Sequence, residues 1–286
     1  MELLLSQLVL GVVSGALLVL LALGLNLIFG LLEFINFSHG ALYMVGAYIG
    51  AYLAVVTGNI WLALLVVPVV MIVLGAALER SLIRPMYRRH QVDALLLTFG
   101  LSYVITEGMR MIAGSGGRRV QAPAILDFQV GLGLGRPVPA YLLFVVVAVG
   151  IVVGGLWLIL RRTNVGLIVR AGIRDHEMIR ALGVRFDRYR TLVFAIGIAV
   201  AGIAGVLTGP ITGVYPEMGA DILILAFVVV VVGGMGSFWG AVVAGLLIGV
   251  LVALTTLYAS IYAGIVPFVL MILVMTFRPR GLLGTT

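Results

Sequence analysis

The chain has 286 residues, 63% hydrophobic and 10% charged, against about a quarter charged in soluble domains, so a water-soluble globular protein is excluded. Its formal charge of +7 comes wholly from arginine, and with no cysteine present disulfides, thiol catalysis and Cys-ligated metal or iron–sulfur sites are ruled out. Clustered beside apolar runs, the arginines read as a membrane-topology signal rather than a nucleic-acid surface.

Apolar runs of the length needed to cross a hydrocarbon core about 30 Å thick recur between Leu3 and Thr276. The short alternating segments of a porin-like barrel are absent. MELLLSQ lacks the basic region of a signal peptide, so the first run, Leu3 to Leu32, is expected to be retained. As one straight helix it would be about 45 Å long, and Glu33, Asn36, Ser38, His39 and Gly40 form a polar break after it. Further spans are expected at 41–56, 61–78, 94–112, 141–160, 192–207, 222–232, 241–258 and 265–277, the seventh being short. The expected fold is therefore an all-α, polytopic helical bundle of about 8–9 transmembrane helices, a single domain over 1–286.

Two basic intervals stand between spans, Arg80 to Arg89 and the longer Arg161 to Arg190, which is too charged to enter hydrocarbon. In the second, Asn164 can cap one short helix and Asp175 another, with Glu177 in its first turn, Arg180 in its last and Gly183 at the left-handed terminal position. Met178, Ala181 and Leu182 then share a face suited to a partner's groove; a solvated connecting loop fits the same spacing. These intervals and the tail Arg278 and Arg280 carry fourteen arginines, and Arg110, Arg118, Arg119 and Arg136 fall opposite. The richer side is expected to face the cytoplasm, with the N-terminus outside.

Small residues recur every fourth position in three spans: Gly46, Gly50 and Ala54; Gly197, Ala201, Gly205 and Gly209; Ala241, Gly245, Gly249 and Ala253. That spacing lets backbones approach closely in lipid. The string His39-Gly40-Ala41, two spans, then Arg84-Pro85 is echoed by Trp239-Gly240-Ala241, two spans, then Arg278-Pro279, a pattern open to duplication or to chance.

Candidate chemistry is sparse. Ser38 beside His39 lacks the geometry and oxyanion hole that a hydrolase needs, and His39, His90 and His176 are too scattered for a metal site. GGMGSFWG lacks the residues of a phosphate loop and reads as a tight turn. Thr98, Ser102 and Thr106 make a polar stripe that either lines a solute path or bonds back to its own helix. Glu107 and Arg110 are spaced to pair near the outer boundary. Few charges lie deep in the spans, which argues against a proton- or sodium-driven carrier.

Four stretches, GLNLIFGLLEFINFSHGALYMVGAY, ERSLIRPMYRR, GLIVRAGIRDHEMIRALGV with TLVFAIGIAVAGIAGVLTG, and VVGGMGSFWGAVVAGLLIGV, resemble the successive signatures of branched-chain amino acid ABC transporter permeases of the LivH type. The resemblance spans about Gly24 to Gly284. It implies a non-enzymatic membrane subunit of a bacterial or archaeal inner membrane, binding no cofactor. The implied partners are membrane lipid, a homologous second permease, two cytoplasmic ATPase subunits, and a periplasmic or lipid-anchored solute-binding protein.

The resemblance also implies that Arg180, Ala181, Leu182 and Gly183 lie in the loop that engages the ATPase, at about 161–190. His176, Glu177 and Met178 depart from the small alanines frequent there. Related permeases carry urea, short amides and organic acids, so branched-chain amino acids are a default. Asn36, Ser38 and His39 are expected at a gate or helix break. The rival expectation is a stand-alone secondary carrier or channel.

Overall fold

The architecture is taken from a computed structural model that describes residues 2–32, 34–131, 137–174, 178–179 and 182–284. Ten α-helices stand among them: α1 (Glu2–Leu32), α2 (Ser38–Thr57), α3 (Ile60–Leu78), α4 (Gln91–Ala113), α5 (Ala140–Arg162), α6 (Asn164–Arg174), α7 (Phe186–Thr212), α8 (Met218–Gly233), α9 (Phe238–Ala259) and α10 (Val266–Phe277). The protein is an all-α, multi-pass membrane protein. Seven helical stretches are long and apolar enough to cross a membrane, while α8 and α10 are shorter apolar helices. At 1.5 Å per residue those two reach only about 24 and 18 Å, less than the hydrocarbon thickness.

α7 runs through Pro210 to Thr212 instead of stopping at Gly209 and Pro210 as expected. Proline removes one helical hydrogen bond, a loss that packed neighbours in a bundle tolerate. Thr163, not Asn164, stands at the start of α6, where its hydroxyl accepts the Gly166 N–H at 3.3 Å.

The central member is α1, packed against α5, α7, α8 and α9. Its glycines make this possible. A methyl group on Gly24 would lie 2.6 Å from the Gly197 carbonyl of α7, and one on Gly197 only 2.8 Å from the Gly24 carbonyl. On another face, Gly15 would meet the Gly245 carbonyl of α9 at 2.9 Å. The expected small-residue stripes are thus helix crossings, α7 against α1 and α2, and α9 against α1. Close packing of this kind, not hydrophobicity, holds helices together in lipid.

The two ends of the bundle differ. One carries Arg80, Arg84, Arg161, Arg170, Arg278 and Arg280 beside the tight turn between α8 and α9, where Gly234 and Gly236 have φ of 103° and 81°. The tail packs there, its Leu282 and Leu283 amides bonded to the Val232 and Gly233 carbonyls. At the opposite end Arg118 bridges to Val214, and Gln129–Val130 pairs with Val138–Pro139.

Placing valine at Gly24 forces α1 and α7 apart and should destabilise the chain by about 1–3 kcal/mol. Alanine at Gly154, which has nothing within 4 Å of its added carbon, should not. Thermal unfolding in detergent or nanodiscs compares the two; equal midpoints would contradict the packing described.

Candidate functional site

The polar residues between α1 and α2 hold a chain reversal inside the bundle. α1 ends at Leu32, yet His39 of α2 binds the Leu21 carbonyl through Nε2 at 3.2 Å and lies beside Gly24. Eight residues separate Gly24 from Leu32, so the chain doubles back by about 12 Å. Each backbone group in such a turn needs a protein partner, because hydrocarbon supplies none.

Asn36 Oδ1 accepts the Ser38 N–H at 3.1 Å and its hydroxyl at 2.6 Å, an Asx turn that starts α2. The His39 N–H donates to the Asn36 carbonyl, and the Phe37 N–H donates to Thr98 Oγ1 at 3.2 Å. Asn36, Ser38, His39 and Thr98 have no solvent exposure. With Nε2 donating, His39 Nδ1 is left an acceptor; it and Asn36 Nδ2 are buried without a hydrogen-bond partner among the described residues. Ser38 and His39 make no nucleophile–base pair, since each side chain bonds elsewhere.

The reversal forms one wall of a cleft of about 450 Å³ between α1, α4 and α8. Ile35, Phe37, Phe99 and Phe227 line its apolar part, Ser102 and Thr106 one side, and Glu107, Arg110 and Glu217 its rim. The expected polar stripe therefore divides. Ser102 and Thr106 face the cleft, whereas Thr98 is buried, donating to the Ala94 carbonyl and accepting from Phe37. Arg110 pairs with Glu107 as its spacing foretold, and also with Glu217, one residue before α8. The Arg110 guanidinium holds the Glu217 carboxyl below the usual carboxylate range. Glu217 was not legible as a partner because 107 residues separate it from Arg110.

At the basic end, Asp175, Glu177, Arg180 and Ala181 lie outside the described residues. Around them, Ile179 is 7% exposed and packs inward, while Met178 and Leu182 are 59% and 73% exposed. Gly183 has the left-handed φ of 77° anticipated for it, and the Val184 N–H returns to the Ile179 carbonyl at 3.4 Å. The start of α7, which follows this segment, is tied to the turn after α3 by a group that sequence reasoning missed. Glu79, fully buried in a π-type turn after α3, accepts from Arg84 at 3.2 Å, Tyr87 at 3.0 Å and Thr191 of α7 at 2.6 Å.

A cleft that is apolar within and charged at its mouth, set in a bundle with a one-sided segment at its basic end, has the organisation of a membrane transport subunit. Comparison with known proteins specifies the family. The model for the permease component of branched-chain amino acid transport systems matches residues 7–275, and the chain belongs to that family. It is 33% identical over 295 residues to the high-affinity branched-chain amino acid transport permease LivH of Escherichia coli K12, covering 98% of this chain and 95% of that one. BraD of Pseudomonas aeruginosa is similarly 33% identical over 297 residues, with 98% and 95% covered. The permease LivM of E. coli is 27% identical over 291 residues, 94% of this chain and 68% of LivM. No solved structure matches the chain.

Replacing Thr98 by valine keeps its shape but leaves the buried Phe37 N–H without an acceptor, a loss of about 1–3 kcal/mol. Serine at the same position should restore most of it. Unfolding midpoints of the two variants check this, and a valine variant as stable as the parent would contradict the role given to Thr98.

Proposed function

We propose that the chain is the membrane-spanning permease subunit of an ATP-binding-cassette importer that carries branched-chain amino acids, or similar small amphipathic solutes, across the inner membrane. It works beside a homologous second permease, two cytoplasmic ATPase subunits and a periplasmic or lipid-anchored solute-binding protein. The observation that carries this reading is similarity over nearly the whole length of both this chain and LivH. Such permeases are transport subunits and not enzymes.

The geometry supports the reading at both ends. The cleft offers aromatic and aliphatic walls for a branched side chain, with charged groups of both signs at its rim. Ser102 and Thr106 lie on the solute's path, and Asn36, Ser38 and His39 hold the reversal that closes the deep side. At the basic end, the stretch from Asp175 to Gly183 is what the ATPase grips, with Met178 and Leu182 presented outward and Ile179 inward.

Force applied there has a route into the bundle. Ile179, Val169 and Phe186 belong to the same apolar cluster as Leu31, Leu32 and Phe34, the start of the reversal. A packed cluster passes on displacement because it cannot compress. A stand-alone carrier is the weaker reading, since the fully buried carboxylate among the described residues, Glu79, has its oxygens engaged by three partners in a structural contact.

Substituting Leu182→Glu together with Gly183→Arg should lower ATP-driven uptake at least tenfold in the reconstituted importer while the two permeases still co-purify. Unchanged uptake would refute the coupling assignment. Uptake by the chain alone in liposomes, without ATPase, would refute the importer reading itself.

A further inference from the structure

The basic end contains a second cavity, of about 590 Å³, between α1, α5, α6 and the start of α9. Its volume lies within the range of ligand sites, about 300–1,000 Å³. Arg161 and Arg170 reach it from α5 and α6. The Arg161 guanidinium lies 5.0 Å from the centre of the Trp157 ring, and Trp157 is 6.4 Å from Trp239. Arg170 donates to the Leu160 carbonyl. Neither arginine forms an ion pair among the described residues. Beside Asn26 the rest of the wall is mainly apolar, with Leu27 from α1 and Leu160 from α5.

Each part of this lining indicates the same ligand chemistry. Two guanidinium groups with no carboxylate partner among the described residues favour an anion, and their planar donor sets match phosphate oxygens. Tryptophan at the foot of a spanning helix is the side chain of the boundary between hydrocarbon and water. Leucines continuing inward suit an acyl chain and serve no purpose for a soluble anion. Basic pockets between spanning helices are the type of site where phospholipid headgroups bind.

We propose that this cavity binds one anionic phospholipid, its phosphate held by Arg161 and Arg170 and its acyl chains lying along Leu27, Leu160 and the two indoles. The site draws together the central helix, α5 and the first helix of the basic interval. A bound lipid therefore ties α6 to the bundle. The proposal stands apart from solute identity and from the coupling role of 175–183.

The three tryptophans of the chain supply the probe, because two of them line the cavity and Trp61 pairs with Phe144 elsewhere. In a Trp61→Phe background the full-length chain is placed in phosphatidylcholine nanodiscs containing a tenth of phosphatidylglycerol. One lipid or the other, at equal mole fraction, carries bromines near the head of its acyl chains. Brominated phosphatidylglycerol should quench the remaining fluorescence at least twice as strongly as brominated phosphatidylcholine. An Arg161→Gln, Arg170→Gln double variant should quench equally with both, and Arg161→Lys should keep most of the preference.

Equal quenching in the parent overturns the proposal without reference to any variant. So does a preference retained in the folded double variant. Millimolar glycerol phosphate or inorganic phosphate that abolishes the preference would show that the site takes a soluble phosphate and not a lipid, and would overturn it as well.

Discussion

Backbone amides inside a membrane must find their partners within the protein, and this requirement shapes the rest of the structure. A continuous helix meets it automatically. The chain between α1 and α2 is not continuous, and it folds back at the depth of Gly24. Its amides are met one at a time, by Asn36 for Ser38 and by Thr98 for Phe37. The same need explains Asn26, which reaches from α1 to the turn between α8 and α9, donating to the Ser237 carbonyl at 2.9 Å and accepting the Gly236 N–H at 2.7 Å. Buried polar side chains here are mostly substitutes for missing helix bonds. After that demand is met, Asn36 Nδ2 and His39 Nδ1 remain buried without a partner among the described residues.

Close approach of helices follows from the same setting. Without water, apolar side chains gain nothing by leaving lipid for one another, so contact area and fit decide which helices pair. α1 crosses α9 at Gly11 and Gly15, and α7 crosses α2 at Gly202 and Gly205. These two crossings correspond if α1 is exchanged for α7 and α9 for α2. That exchange matches the sequence echo, in which His39-Gly40-Ala41 begins α2 and Trp239-Gly240-Ala241 begins α9.

Much of this was readable beforehand, for a physical reason. Length and apolarity fix which segments can enter hydrocarbon, and so the nine apolar helices among the described residues fall where the runs do. Glycine spacing likewise betrays crossings, and the left-handed Gly183 was visible from its place after an amphipathic turn. Partners distant in sequence were hidden. Nothing about Glu79 in ERSLIRPMYRR indicates that its carboxylate will be met by Thr191, 112 residues on, nor could the stripe Thr98, Ser102, Thr106 reveal which member faces a cleft. Helical spacing gives a face, but only packing says what that face meets. The cap of α6 misled for a related reason, as Thr163 and Asn164 are both good caps and the choice lies in the turn leaving α5.

The buried Glu79 gives the basic end its mechanical character. A carboxylate removed from water is costly unless its oxygens are occupied, and losing one partner is penalised more than the pair gains. Three donors from two chain segments meet it, so the turn after α3 and the start of α7 are fixed to each other. α7 also follows directly from the segment carrying Ile179, with Phe186 at its first turn in the same apolar cluster. A push on that segment therefore cannot be absorbed by α7 sliding alone. It must move α7 and α3 together, and α7 bears on α1 at Gly24, one turn from the carbonyl that holds His39. In the coupling proposed above, the Glu79 contacts and the close glycine crossing act as two parts of one lever, which ends at the wall of the cleft.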